Sequence, residues 1–207
     1  MIYTLLYHHA IPDRYGNDPE MLDRHFQYIA DNYPTLHPGE MPKKHGVCLT
    51  FDDAYDDFPI DLLEKHQLKA VLAVPTALIG ESGYLTWDQV KRLAQNPLIR
   101  LASHSHTHAD LSKPADLQTE IIYSKSLIEP VDTFIFPYGK YSPEALLLAK
   151  QHYKYVMRIG SALNKSWDQN LIYRIPCDQL PSYSYPFDSQ QYIKLMLKHS
   201  INSFINK

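Results

Sequence analysis

Short apolar runs and segments of helical period take turns along this chain. Runs rich in β-branched and aromatic residues occur at 2–7, 47–51, 69–75, 99–102, 133–136, 153–159 and 171–175, and these read as strands. Between the first two, Asp18-Pro19-Glu20 opens a helix with Asp at the N-cap and Pro in the first turn. Its apolar face runs through Met21, Leu22, Phe26, Ile29 and Ala30. Further helices are expected over 57–66, after Thr86 as cap, over 115–128, and from Ser142-Pro143-Glu144 to Lys150. Residues 190–204 form a closing amphipathic helix, with Ile193, Leu195, Met196 and Leu197 available for the core.

Most of these strands are apolar throughout rather than alternating. That pattern implies parallel strands covered by helices, in a barrel or a doubly wound sheet. The position of the reactive residues chooses between the two. His8, Asp52 and Asp53, His104 and His108, and Tyr138 each follow the end of a different strand, and Arg174 lies late in its own. A closed barrel brings all those ends to one face, whereas an open sheet spreads them along an edge. The expected fold is therefore α/β, an irregular barrel of about seven parallel strands. The 207 residues suit one domain over 1–207.

Composition narrows the partners. With 44% hydrophobic residues, 21% charged residues, a net charge of −3 and no basic run, nothing suggests nucleic-acid binding. Two cysteines, Cys48 and Cys177, do not make a disulfide framework. Met1 to Tyr7 has the look of a signal-peptide core but lacks a basic start, and no apolar run reaches membrane-span length. The sequence as it stands reads as cytoplasmic, or as periplasmic or extracellular if a leader precedes it.

The chemistry concentrates in two places. Val47-Cys48-Leu49-Thr50-Phe51 ends in Asp52-Asp53, adjacent carboxylates that are tolerated under burial only with a neutralising cation or access to water. Alone, the pair reads as a strand entering an acidic turn. Some fifty residues on comes Ser103-His104-Ser105-His106-Thr107-His108. His104, His108 and one of the two Asp residues would make a 2-His-1-carboxylate metal site. Non-haem iron oxygenases share that ligand set but sit on jelly rolls, whose short alternating strands this chain does not show.

Leu49-Thr50-Phe51-Asp52-Asp53 resembles the first motif of the NodB-homology polysaccharide deacetylases, carbohydrate esterase family 4. Residues 103–111, from Ser103 through Asp110-Leu111, are similar to the second motif, and Phe134-Ile135-Phe136-Pro137-Tyr138-Gly139 to a Pro-Tyr-Gly form of the third. Leu6-Tyr7-His8-His9 and Arg174-Ile175-Pro176 resemble the branch that contains the poly-N-acetylglucosamine deacetylases. The resemblance spans nearly the whole chain in order. It implies a NodB-type barrel and a metal-dependent de-N-acetylase acting on an N-acetylated oligo- or polysaccharide. The implied cofactor is a divalent ion, Zn²⁺ before Co²⁺ or Ni²⁺. A deformylase or deacylase of a nucleotide- or lipid-linked sugar, or a carbohydrate-binding pseudoenzyme, are the alternatives.

The same resemblance assigns roles. Asp53, His104 and His108 would bind the metal, Asp52 would be the general base, and the backbone N–H of Tyr138 would help form an oxyanion hole. For the general acid, the wider family uses a His in a Leu-x-His motif, which Leu197-Lys198-His199 fits. The poly-N-acetylglucosamine branch places a His after the first strand, so His8 is favoured, with His199 in reserve. His106 lies between the ligands and is a further candidate ligand, although its two-residue offset on a strand is read as pointing it away from them; His9 is expected at the surface or behind the site. The chain departs from the family at three points: Ala54 replaces the usual Gly, the Arg of the third motif is absent, and so is the Asp-x-x-Asp-Trp fourth motif. Arg174 either takes over the orientation of Asp52 or makes a surface salt bridge. Tyr84, Trp87 and Tyr141 are expected to pack in the core rather than to stack on a sugar.

Overall fold

A strand in a closed barrel points alternate side chains to the axis and to the covering helices, so two apolar layers should separate by parity. A computed structural model describes residues 1–205 of the chain, with side chains as far as Asn202. Seven strands close a barrel in sequence order: β1 (Ile2–Tyr7), β2 (Gly46–Phe51), β3 (Ala70–Val74), β4 (Ile99–Ser103), β5 (Thr133–Ile135), β6 (Tyr155–Ile159) and β7 (Ile172–Pro176). Every neighbouring pair is parallel. An axial layer contains Ile2, Cys48, Val71, Ala73, Ala102, Ile135, Tyr155, Met157 and Ile172. The outer layer holds the opposite parity, with Tyr3, Leu5, Tyr7, Val47, Leu49 and Phe51 packed on Leu22, Phe26 and Ile29. The two-sided burial explains why these strands read as continuous apolar runs.

The helices follow their caps. Asp18 accepts from the N–H groups of Glu20 and Met21 to start α1 (Pro19–Asn32), and Thr86 with Gln89 forms a capping box for α3 (Trp87–Ala94). Between them α2 (Ile60–Lys65) is shorter than the expected 57–66, because Pro59 stands at its N-cap and Asp57 is bound to His9 and to the N–H of Ala10. The expected helix over 115–128 resolves into a π-helical turn, Gln118–Tyr123, continuing into α4 (Ser124–Leu127). Then come α5 (Pro143–His152), capped by Ser142, and α6 (Ser189–Ile205). On α6 only part of the expected face is used: Leu195 is buried and Met196 packs on the core, while Ile193 and Leu197 are exposed. On α1, Ala30 is exposed and the buried set includes His25 instead. Among the described residues no helix is long and apolar enough to cross a membrane.

The closure is uneven. β1 and β2 share six register pairs, but β4 and β5 share only Ser103 with Phe134, and β7 meets β1 at two. The barrel is therefore irregular, and the C-terminal ends of its strands converge on one mouth.

Candidate active site at the barrel mouth

Parity decides which reactive residues look inward. Cys48 is axial, so Thr50 and Asp52 follow it on the axial face; Ile172 is axial, so Arg174 is too; Ala102 puts His104 on the same side. Arg174 is fully buried and grips Asp52 with both ends of its fork, Nη1 to Oδ1 at 2.6 Å and Nη2 to Oδ2 at 2.8 Å. The same Nη1 donates to Thr50 Oγ1 at 3.1 Å, and Thr50 donates to the Leu5 carbonyl at 2.8 Å. Of the two readings of Arg174, the structure takes the first: this pair is internal, bidentate and braced. Burial pushes the Asp52 carboxyl up, but Arg174 outweighs it and holds the group below the usual carboxylate range.

One residue on, the chain turns sharply. Asp53 and Ala54 both have left-handed backbone, with φ of 71° and 54°. This turn sends the Asp53 side chain toward β4 while Asp52 stays with β7. Ala54, fully buried, occupies the position where its relatives in the resemblance have Gly, and its conformation supplies the reason: a Cβ is strained there.

Asp53 meets His104 and His108. Its Oδ1 lies 3.5 Å from His104 Nε2 and 3.1 Å from His108 Nε2, and one donor atom from each residue lies within 4.8 Å of the others. The fit to a metal can be tested on the donor set itself. Asp53 Oδ1 is buried and makes no hydrogen bond, although it faces two imidazoles. His104 Nδ1 donates to the Ile135 carbonyl at 2.8 Å. A carbonyl only accepts, so Nδ1 carries the proton, and burial lowers the pKa of this imidazole despite Asp52 and Asp53 nearby. Its Nε2 lone pair is thus left facing Asp53 and His108, with Asp52 Oδ2 also 3.6 Å away. Two imidazoles and a carboxylate with donor atoms turned to one point fit a divalent cation such as Zn²⁺.

The remaining predicted residues sort as follows. His8 Nδ1 bonds Asp178 Oδ2 at 2.8 Å, and the His8 N–H donates to Asp178 Oδ1 at 3.2 Å. Burial pushes His8 down, but Asp178, Asp52 and Asp53 together outweigh it, and its pKa is raised. Tyr138 lies in a 3₁₀ turn, Pro137–Gly139, with φ of 57°; its ring is exposed and sits 4.7 Å from that of His108. His106 points away from the centre, with Nδ1 on Thr76 Oγ1 at 2.8 Å. His9 stacks on Tyr55 at 3.7 Å and pairs with Asp57. His199 is buried on α6, whose Asn202 carbonyl accepts from Tyr173 of the outer layer, and His8 acts electrostatically on both Asp52 and Asp53. Tyr84 stacks on Tyr55 at 5.1 Å; Trp87 and Tyr141 pack against the outer core layer.

Asp178 is absent from the sequence-based set. It lies two residues past β7, so the rule that reactive groups follow strand ends would have included it. Asn17 and Glu120, both buried, were also passed over. Asn17 holds the Asp178 segment, donating to the Cys177 carbonyl at 2.8 Å and accepting from the Leu180 N–H at 2.8 Å.

Residues 39–156 match the family model described as polysaccharide deacetylase. The chain belongs to the polysaccharide deacetylase family. Over 151 residues it is 32% identical to YxkH of Bacillus subtilis (strain 168), a protein carried under a polysaccharide-deacetylase name, covering 62% of this chain and 53% of that one. The chain thus spans about half the length of that relative. Among solved structures it is similar to the Streptococcus pyogenes deacetylase PplD in complex with acetate, with TM-score 0.77 and 25% identity, covering 94% of this chain and 97% of that one. It also matches the polysaccharide deacetylase BC0361 from Bacillus cereus in fold, with TM-score 0.78, 19% identity, and coverage of 93% and 68%.

Proposed function

We propose that the chain is a metal-dependent hydrolase that removes the N-acetyl group from an N-acetylated sugar in a polysaccharide or glycan precursor, with residues 1–207 acting as one catalytic unit. The observation that carries this reading is the pairing at β2. Asp53 turns to two imidazoles, while its neighbour Asp52 is held ionised by a buried Arg174 and stays out of the ligand set. Asp53, His104 and His108 would hold the ion. When bound, the ion supplies Lewis acidity toward an acyl oxygen and toward water.

The protein groups then divide the proton work. Asp52, as general base, takes a proton from the attacking water; Arg174 keeps that carboxylate charged and aimed. His8, with its raised pKa and its Nδ1 tied to Asp178, presents Nε2 as the donor to the departing nitrogen. The backbone N–H of Tyr138, in the Pro137–Gly139 turn, would stabilise the developing oxyanion. The exposed rings of Tyr15 beside His8 and Tyr138 beside His108 offer apolar faces to a sugar at either side of the centre. Acetate in the S. pyogenes relative, and the His8 and Arg174 motifs, favour an N-acetyl substrate of the poly-N-acetylglucosamine kind.

The test is acetate release from N-acetylglucosamine oligomers, lost on chelation and restored by Zn²⁺. Asp52→Asn should retain metal and lose turnover. Unchanged turnover in that variant removes Asp52 as base, and formate release from N-formyl sugars without acetate release from their N-acetyl counterparts redirects the acyl specificity.

A further inference from the structure

His104 and His108 are fixed by different means. His104 follows β4 directly and is tied to the Ile135 carbonyl. His108 stands at the far end of a loop that belongs to no strand or helix, and the loop is strained at two places: Ser105 and His108 both have left-handed backbone, with φ of 62° and 60°. Side chains with a Cβ persist in that region only when their surroundings over-determine the conformation.

One buried carboxylate supplies that constraint. The N–H groups of His106 and Thr107 donate to Glu120 Oε2 at 3.0 and 2.9 Å, and Thr107 Oγ1 donates to Glu120 Oε1 at 2.6 Å. Two successive backbone N–H groups converging on one oxygen form an anion-binding concavity, and all three bonds are charge-assisted. Glu120 reaches this spot from the π-helical turn Gln118–Tyr123, a conformation rare in proteins and concentrated near functional sites. The loop is closed from its other side by Ala77, whose N–H donates to the His106 carbonyl at 2.8 Å, and by Thr76 on the His106 ring.

We infer that Glu120 is a positioning residue for the metal centre: it fastens the loop between the two histidines so that His108 Nε2 meets Asp53 and His104. The inference rests on the reading of Asp53, His104 and His108 as metal ligands. Glu120 touches no reacting atom. It acts through the backbone of His106 and Thr107, and its effect is therefore on how tightly the ion is held.

The experiment measures Zn²⁺ affinity of the full chain by competition with a chromophoric chelator, and separately the melting temperature of the metal-free protein. Glu120→Gln keeps the shape but replaces one acceptor by an amide that faces donors; its Zn²⁺ affinity should fall about 10- to 100-fold. Thr107→Val removes only the hydroxyl bond, leaves the backbone pair, and should cost several-fold; it serves if Glu120→Gln folds poorly. Asp53→Asn, which removes a proposed ligand, should abolish tight binding. Wild-type affinity in both Glu120→Gln and Thr107→Val, with binding lost in Asp53→Asn, overturns the positioning role and leaves the metal site standing. Affinity unchanged in Asp53→Asn, or no binding by the wild type, overturns the ligand set itself and the inference with it. A lower metal-free melting temperature with unchanged affinity marks Glu120 as merely structural and also overturns the proposal.

Discussion

The two sides of the mouth are built differently. On the side of the proposed general base, Asp52 and Arg174 extend from the axial faces of β2 and β7, which flank β1, both buried, locked by a bidentate bridge and a third bond to Thr50. On the side of the proposed general acid, His8 and Asp178 stand just beyond β1 and β7, partly exposed, with one ring nitrogen bonded to one carboxylate. The first is set by the barrel lattice. The second depends on the segment after β7, which Asn17 and His25 pin to α1 and its approach. A base that must stay ionised inside a protein needs a fixed cation, whereas a proton donor that must meet a varying leaving group can sit at the rim.

The largest effect should come from breaking the buried bridge. Arg174→Met leaves the Asp52 charge buried and unpaired, which costs about 3–5 kcal/mol. Denaturant unfolding should show that loss, and acetate release should disappear with it; Arg174→Lys keeps the charge but not the fork, and should recover only part of both. On the other side, Asp178→Asn should spare the fold. It should lower turnover of N-acetyl amides about 10- to 100-fold, given what a positioned acid contributes, and leave hydrolysis of an acetyl ester with a good leaving group nearly unchanged. Equal losses on amide and ester would remove the division between the two sides.

The pinning of the donor segment also predicts acid sensitivity. His25 is fully buried, donates from Nδ1 to the Tyr183 carbonyl at 2.7 Å and accepts from Tyr7 at Nε2 at 2.7 Å. Burial lowers its pKa to about 4 from an ordinary 6.5. The unfolded chain therefore binds this proton first, so the contribution of His25 is fully present above pH 6.5 and is lost as the pH falls toward 4. Between pH 7 and 4.5 it should amount to about 2 kcal/mol of unfolding free energy, absent from the pH dependence of His25→Gln. The smallest effect belongs to the turn between the carboxylates. Ala54→Gly relieves a left-handed alanine and should raise stability by up to about 1 kcal/mol, read as a small rise in melting temperature.

How far the site was legible depends on where each residue sits. Asp52, Asp53, His104 and His108 stand in short motifs at the ends of apolar runs, and both the spacing and the resemblance marked them. His8 and Arg174 were marked by the same rule, but Arg174 had two readings because nothing in its neighbourhood along the chain names a partner; Asp52 is 122 residues away. Asn17 and Glu120 carry no local pattern, and Asp178 has only its place just after β7. Each is a common polar residue whose use appears only when a distant backbone segment is brought against it. The π-helical turn was hidden for a similar reason: residues 115–128 have a helical period, and a single wider turn does not disturb it enough to be seen.

The order of apolar runs and helical segments, read with the strand-end position of the reactive groups, was enough by itself for a parallel β/α barrel and for the two motifs that hold the proposed metal ligands, with the choice of Asp53 over Asp52 coming from the family resemblance. Those features are local: burial on both faces demands unbroken apolar strands, and metal chemistry demands a few residue types close together in sequence. Pairing across the barrel was settled only by tertiary structure, because closing seven strands sets β7 and β2 on either side of β1, so that Arg174 reaches Asp52 along the axial face, and a left-handed turn directs Asp53 elsewhere. Which carboxylate meets the guanidinium and which meets the imidazoles is a consequence of side-chain parity and one left-handed turn, and neither is written in any single stretch of the chain.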